Sequence, residues 1–168
     1  MKKTIVALAG TLCAISSSLV MAAPSIEFVG EVSEYTCEPT INGNANGVVL
    51  LPTVATTALA TAGATTGETN FNIDLPGDCS NATNIVLNGY SVTEGILGNT
   101  APTATAATNV GLELLDPAGA PIILSGATNV PVTIANNQVA FGVQYKALAA
   151  DVTAGQVKGT AEYTVSYK

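Results

Sequence analysis

The sequence contains no histidine and no tryptophan, has only five basic residues, and carries aromatics at 5% of its 168 residues. Without histidine, the commonest general base near neutral pH and the commonest metal ligand are both missing. A serine or cysteine hydrolase of the usual kind would have no base. The five lysines face twelve acids, giving a formal net charge of −7. That balance argues against nucleic acid, whose binding rests on neutralised phosphates, and against an electrostatic hold on anionic membranes. What is abundant is small: 26 alanines and 22 threonines, in a chain that is 48% hydrophobic. Such side chains suit thin packed layers and polar surfaces better than deep pockets. The length suits one domain with a fair core. An enzyme is not expected, and neither is a cofactor or a metal.

The first residues read as an address. Lys2 and Lys3 precede an apolar stretch over 4–20, and Val20-Met21-Ala22 offers small residues where a signal peptidase reads them. A run of roughly 17 apolar residues, interrupted by Ser16-Ser17-Ser18, is short for a transmembrane anchor. The expectation is therefore a signal peptide over 1–22, cleaved after Ala22, with no membrane insertion of what remains. Cleavage would remove two lysines and leave 146 residues with a net charge of −9. It would also remove Cys13, leaving Cys37 and Cys79 in a compartment that favours disulfides. Only one intramolecular pairing is then open, and closing a loop of that size stabilises by about 4 kcal/mol in the chain-entropy model. Two metal-ligating thiols would need a CxxC spacing or a histidine partner, and the sequence supplies neither.

Beyond residue 22 the hydrophobic period is two. Ile26, Phe28, Gly30 and Val32 alternate with Glu27, Val29, Glu31 and Ser33. The same alternation runs through Phe71, Ile73 and Leu75, through Val110, Leu112 and Leu114, and through Val139, Phe141, Val143 and Tyr145. It returns at Gly159, Ala161, Tyr163, Val165 and Tyr167. Each pattern predicts a half-buried antiparallel strand. Further strands are expected over 48–54, 85–87, 122–124 and 130–134. Asn42-Gly43, Asn46-Gly47, Asn88-Gly89, Asp116-Pro117 and Ala118-Gly119 are turn signals between them. Residues 55–69 and 98–109 read as longer loops, with room for a short helix near 58–62. Many short strands at this spacing predict an all-β sandwich with Greek-key connections.

Paired carboxylates are the remaining catalytic option, at Asp74/Asp78 or Glu113/Asp116. Asp74 and Glu113 alternate with the apolar faces of their strands, so both are expected in solvent. Nothing nearby supplies a sugar platform, a raised pKa or a calcium loop. Asn81-Ala82-Thr83 matches a glycosylation sequon, a pattern short enough to recur by chance. The two ends of the chain are more informative. Residues 26–32 open directly into an alternating strand, and the last residues end inside another. The expectation is a sandwich that stops early and leaves an apolar face and an unpaired ladder.

The segments FVGEVSEYTC (28–37), FNIDLPGDC (71–79), ATNVGLELLDPAGAPI (107–122) and GTAEYTVSYK (159–168) resemble chaperone–usher pilins, most of all the type 1 fimbrial major-subunit group. The shared marks are two cysteines at this spacing, a glycine seven residues before the first, and a next-to-last tyrosine. The resemblance runs over 23–168. It implies an incomplete immunoglobulin-like β-sandwich over 34–168, lacking its final strand and completed in trans by donor-strand complementation, after an N-terminal extension over 23–33.

By position, Ile26, Phe28, Gly30 and Val32 would be donor-strand residues. Gly159, Ala161, Tyr163, Val165, Tyr167 and Lys168 would form the acceptor groove, which also binds the chaperone. The implied partners are neighbouring subunits, a periplasmic chaperone that grips the C-terminal carboxylate of Lys168, and an outer-membrane usher. The implied product is a surface fimbrium that supports cell adhesion. The core segments favour a shaft subunit. The short extension over 23–36, with Pro24 near its start, makes a minor adaptor of the same fibre the alternative. A monomeric secreted immunoglobulin-like module that binds carbohydrate through Thr/Asn-rich loops is the alternative of a different class.

Overall fold

The computed structural model of the chain describes residues 38–41, 43–79 and 81–167. The expected signal peptide, the donor residues Ile26, Phe28, Gly30 and Val32, and Cys37, Asn42 and Lys168 lie outside the described residues. The strands are β1 (Thr40–Ile41), β2 (Thr65–Asp74), β3 (Ala82–Gly89), β4 (Val92–Thr93), β5 (Ile96–Gly98), β6 (Val110–Leu115), β7 (Pro121–Ile122), β8 (Ala127–Pro131), β9 (Gln138–Ala147) and β10 (Ala161–Tyr167). Short 3-10 turns cover Thr56–Leu59 and Gly77–Cys79.

Two antiparallel sheets result. The larger runs β1-β2-β9-β6-β5-β4, with β7 also on β6; the smaller runs β10-β3-β8. The neighbours β2 and β9, or β3 and β10, lie far apart in sequence, as Greek-key connections require. The alternating residues meet between the sheets. Ile73, Leu75, Ile85, Leu87, Leu112, Leu114, Val139, Phe141 and Val143 are all buried in one cluster, and the Phe71 and Phe141 rings stack 6.0 Å apart. A second cluster of Leu59, Ala107, Val110 and Ala147 closes one end of the molecule. Cys79 is fully buried and disulfide-bonded. The turn after β6 is built by Asp116, whose Oδ1 accepts the N–H groups of Ala118 (2.9 Å) and Ala120 (2.8 Å), and Gly119 supplies the positive φ of +80°.

Several expectations are corrected. Glu113 is not solvated: it is 2% exposed, and all six residues of β6 are buried. The reason is position in the sheet, since β6 pairs with β9 along one edge and with β5 and β7 along the other. Its carboxylate is held by Lys146 Nζ at 2.6 Å and Gln144 Nε2 at 2.8 Å. Residues 65–69, expected in a loop, begin β2, while the expected short helix is the 3-10 turn at Thr56–Leu59. Asn88-Gly89 is the end of β3, not a turn, and the short pair β4 and β5 was not anticipated. The strand expected at 130–134 lies earlier, as β8, and the one at 122–124 is only β7. The strand expected over 48–54 is absent, and its absence bears on the site.

Candidate functional site

β10 is an edge strand. Among the described residues it has one ladder partner, β3, with Ala161 opposite Gly89, Tyr163 opposite Leu87 and Val165 opposite Ile85. Its side chains alternate as its sequence does. Glu162 and Thr164 are exposed, Val165 is buried, and Ala161, Tyr163 and Tyr167 are half-buried against the main core. The expected acceptor residues Ala161, Tyr163, Val165 and Tyr167 are therefore brought together on one face. Gly159 precedes the strand, where a Cβ would sit 3.0 Å from Leu112 Cδ1, so the chain enters β10 pressed against the core.

Residues 46–54 supply the second feature. Among the described residues this stretch belongs to no strand and makes no ladder, yet its burial alternates with a period of two. Val49 and Leu51 pack on the main core, whereas Val48 is 70% and Leu50 84% exposed. A half-buried extended segment without ladder partners is what a sheet edge looks like when its neighbour is missing. Ile41, Val49 and Leu51 from this side, with Val157, Ala161, Tyr163 and Tyr167 from the C-terminal side, form the half-buried apolar fringe of the core.

Two tyrosines tie the segment down. Tyr163 in β10 donates its hydroxyl to the carbonyls of Pro39 (3.1 Å) and Ala45 (3.3 Å). Tyr145 in β9 donates to the carbonyl of Pro52 at 3.2 Å. Burial pushes both phenols above the usual tyrosine range, and the Asp74 carboxylate adds to the rise at Tyr163. Gly67, at a register shift in β2, makes room for this arrangement: a Cβ there would lie 2.8 Å from Val54 Cγ1 and 2.9 Å from Tyr145 Cδ2. Tyr145 also lines a cleft of about 490 Å³, together with Val54, Leu59, Val110, Val157 and Lys158 among others.

Sequence reasoning placed the β10 residues and missed Tyr145, Val49, Leu51 and Val54 as parts of the site. The apolar run at 48–54 was visible. What it could not signal was the missing ladder. The arrangement offers apolar side chains and an open strand edge, which is what an added β-strand needs.

The chain matches the family model described as fimbrial protein over residues 26–168. The chain belongs to the fimbrial protein family. This fimbrial subunit is 30% identical to a type-1 fimbrial protein subunit of Serratia marcescens, with 100% of each chain covered. It is 36% identical to the major fimbrial subunit SMF-1 of Stenotrophomonas maltophilia, over 85% of this chain and 91% of that one. In fold it resembles the P pilus rod subunit PapA, with a TM-score of 0.62 at 16% identity, covering 86% of this chain and 99% of that one. The subunit is thus an all-β protein with an immunoglobulin-like pilin fold and a structural component of a surface fimbrium.

Proposed function

We propose that this subunit polymerises by donor-strand exchange, the extension over 23–33 of one copy entering the open side of the next. The observation that carries the reading is that, among the described residues, Ala161–Val165 of β10 have a ladder partner on one side only and segment 46–54, which packs on the same core, has no ladder. The occupant is argued from the same sequence. Ile26, Phe28 and Val32 repeat the period of two that an inserted strand needs, with Gly30 between them. Burying three such side chains contributes roughly 1.5–3 kcal/mol each, before any main-chain hydrogen bonds.

In this reading residues 1–22 direct export and are removed. A periplasmic chaperone covers the groove until an outer-membrane usher hands the subunit to the fibre. Lys168 supplies the terminal carboxylate that the chaperone grips, Gly159 opens the acceptor strand, and Cys37 is the partner of Cys79. The subunit has no catalytic role. The shaft assignment is favoured over an adaptor, because a relative matched along most of this chain is named a major subunit.

The test is Phe28→Asp in the mature chain. A buried, unpaired carboxylate is expensive, so the variant is expected to accept a strand normally and to fail as a donor. Fibres growing from the variant at the wild-type rate, read by electron microscopy and light scattering, would overturn the donor assignment.

A further inference from the structure

The two tyrosine contacts come from different sheets and converge on one strip of backbone. Tyr163 stands on β10 of the smaller sheet and holds Pro39 and Ala45; Tyr145 stands on β9 of the larger sheet and holds Pro52. Among the described residues, no backbone hydrogen bond fixes the chain from residue 46 to Pro52. Two of the three accepting carbonyls belong to prolines, which lack an N–H and are poor ladder members. The segment therefore hangs between two side-chain contacts, with Val49 and Leu51 turned to the core and Val48 and Leu50 turned away.

We propose that Tyr145 and Tyr163 are positioning residues for strand acceptance: their hydroxyls fix the two ends of the strip between Ala45 and Pro52, so that this lip is already ordered when a strand arrives. The proposal rests on the donor-strand reading above and adds a cause for the order of the lip. Neither ring needs its hydroxyl for packing, since both rings already lie against apolar residues. What the hydroxyls add is a tether at each end, Ala45 and Pro52, of a strip that has no other main-chain restraint among the described residues. Without it, part of the incoming strand's binding energy goes into ordering the lip, and uptake slows. The phenols stay protonated, and so remain donors, throughout the neutral range.

The experiment measures uptake of a fluorescent peptide with the sequence of residues 23–36 by the mature chain 23–168, at low protein and excess peptide. The chains compared are wild type, Tyr145→Phe, Tyr163→Phe and the double variant. Tyr90→Phe serves as an exposed control and Val130→Ala as a destabilised one, since Tyr90 is 68% and Val130 5% exposed. From the net contribution of one hydrogen bond, each single change is expected to slow uptake about fivefold. Two independent contacts would give roughly 25-fold together. Tyr90→Phe should take up peptide at the wild-type rate, and Val130→Ala should lose stability without the same slowing.

Phe variants that match wild type, when wild type takes up the peptide, overturn the positioning role and leave the donor-strand reading standing. A slowdown reproduced by Val130→Ala at equal loss of unfolding midpoint overturns it too, because stability alone would then suffice. No uptake by wild type overturns the donor-strand reading, and the positioning role with it. Should the double variant fail to fold, the two single variants decide by the same criteria.

Discussion

Glu113 and Lys146 show how one residue's place in a sheet outweighs its place in a pattern. Alternation along β6 turns Glu113 away from Leu112 and Leu114, yet strands on both edges bury it, and its carboxylate is satisfied by Lys146 and Gln144. A buried pair adds little over an apolar replacement, but breaking it strands a charge. Lys146→Met is therefore expected to destabilise by roughly 2–3 kcal/mol in urea unfolding. Glu113→Leu combined with Lys146→Met should recover most of that loss; if the double variant is no more stable than Lys146→Met, the cost does not come from the uncompensated acid. The phenols give a pH signature. Burial raises the pKa of Tyr145 and Tyr163, so their contribution is complete below the unfolded tyrosine value of about 10 and is lost as pH rises through the raised folded values. The stability of wild type relative to Tyr145→Phe/Tyr163→Phe should then be constant from about pH 7 to 9 and fall above about pH 10. A difference that is flat to pH 11 would show that these phenols ionise alike in the folded and unfolded chain.

Among the elements, segment 46–54 behaves as a strand in pattern and as a loop in pairing. Its inward residues Val49 and Leu51 touch the core while Val48 and Leu50 do not. Val49→Asp or Leu51→Asp should cost about 2 kcal/mol by placing a carboxylate on apolar surface. Val48→Asp and Leu50→Asp should stay within about 0.5 kcal/mol. Equal losses on both faces, in denaturant titrations, would mean that the segment does not keep its register on the core. The same segment marks the limit of what was legible. Period-two alternation located β2, β6, β9 and β10, because each of those strands lays one face on the main core, and a short apolar run located β3. Alternation reports which side chains share a face. It does not report what covers the opposite face, which is why Glu113 read as solvated, and the apolar run at 48–54, which read as a strand, carries no sign of whether a ladder partner exists. Likewise β4 and β5 escaped notice, because strands of two and three residues are too short to display a period. The apolar face of β10 was legible, since its sequence alternates without interruption from Ala161 to Tyr167. The tyrosine contacts were not, because they join residues 93, 124 and 118 positions apart.

At the scale of the whole molecule, the proposed donor over 23–33 and the proposed acceptor on β10 are two different, complementary surfaces in one chain. Contact between them is head-to-tail, so it does not close on itself and propagates as a filament. The small side chains, missing histidine and acidic surface fit that role, which needs neither a base nor a deep pocket. Asymmetry of the link makes the assembly easy to interrupt in one direction only. A subunit trimmed to 34–168 keeps β10 and segment 46–54 but, on the donor-strand proposal, has no strand to lend. It is then expected to receive a neighbour and fail to join one, and so to end a growing chain. Mixed in equal amounts with the full mature chain at complete assembly, it should reduce the mean polymer to roughly two subunits, since each chain then ends at one trimmed copy. Trimmed copies carrying Val165→Asp, which puts a carboxylate on the buried side of β10, should lose this effect and leave long fibres. Length distributions from analytical ultracentrifugation and electron microscopy read both outcomes. Trimmed copies that leave fibre length unchanged would place the donor outside 23–33. Shortening that persists with Val165→Asp would place the acceptor outside β10.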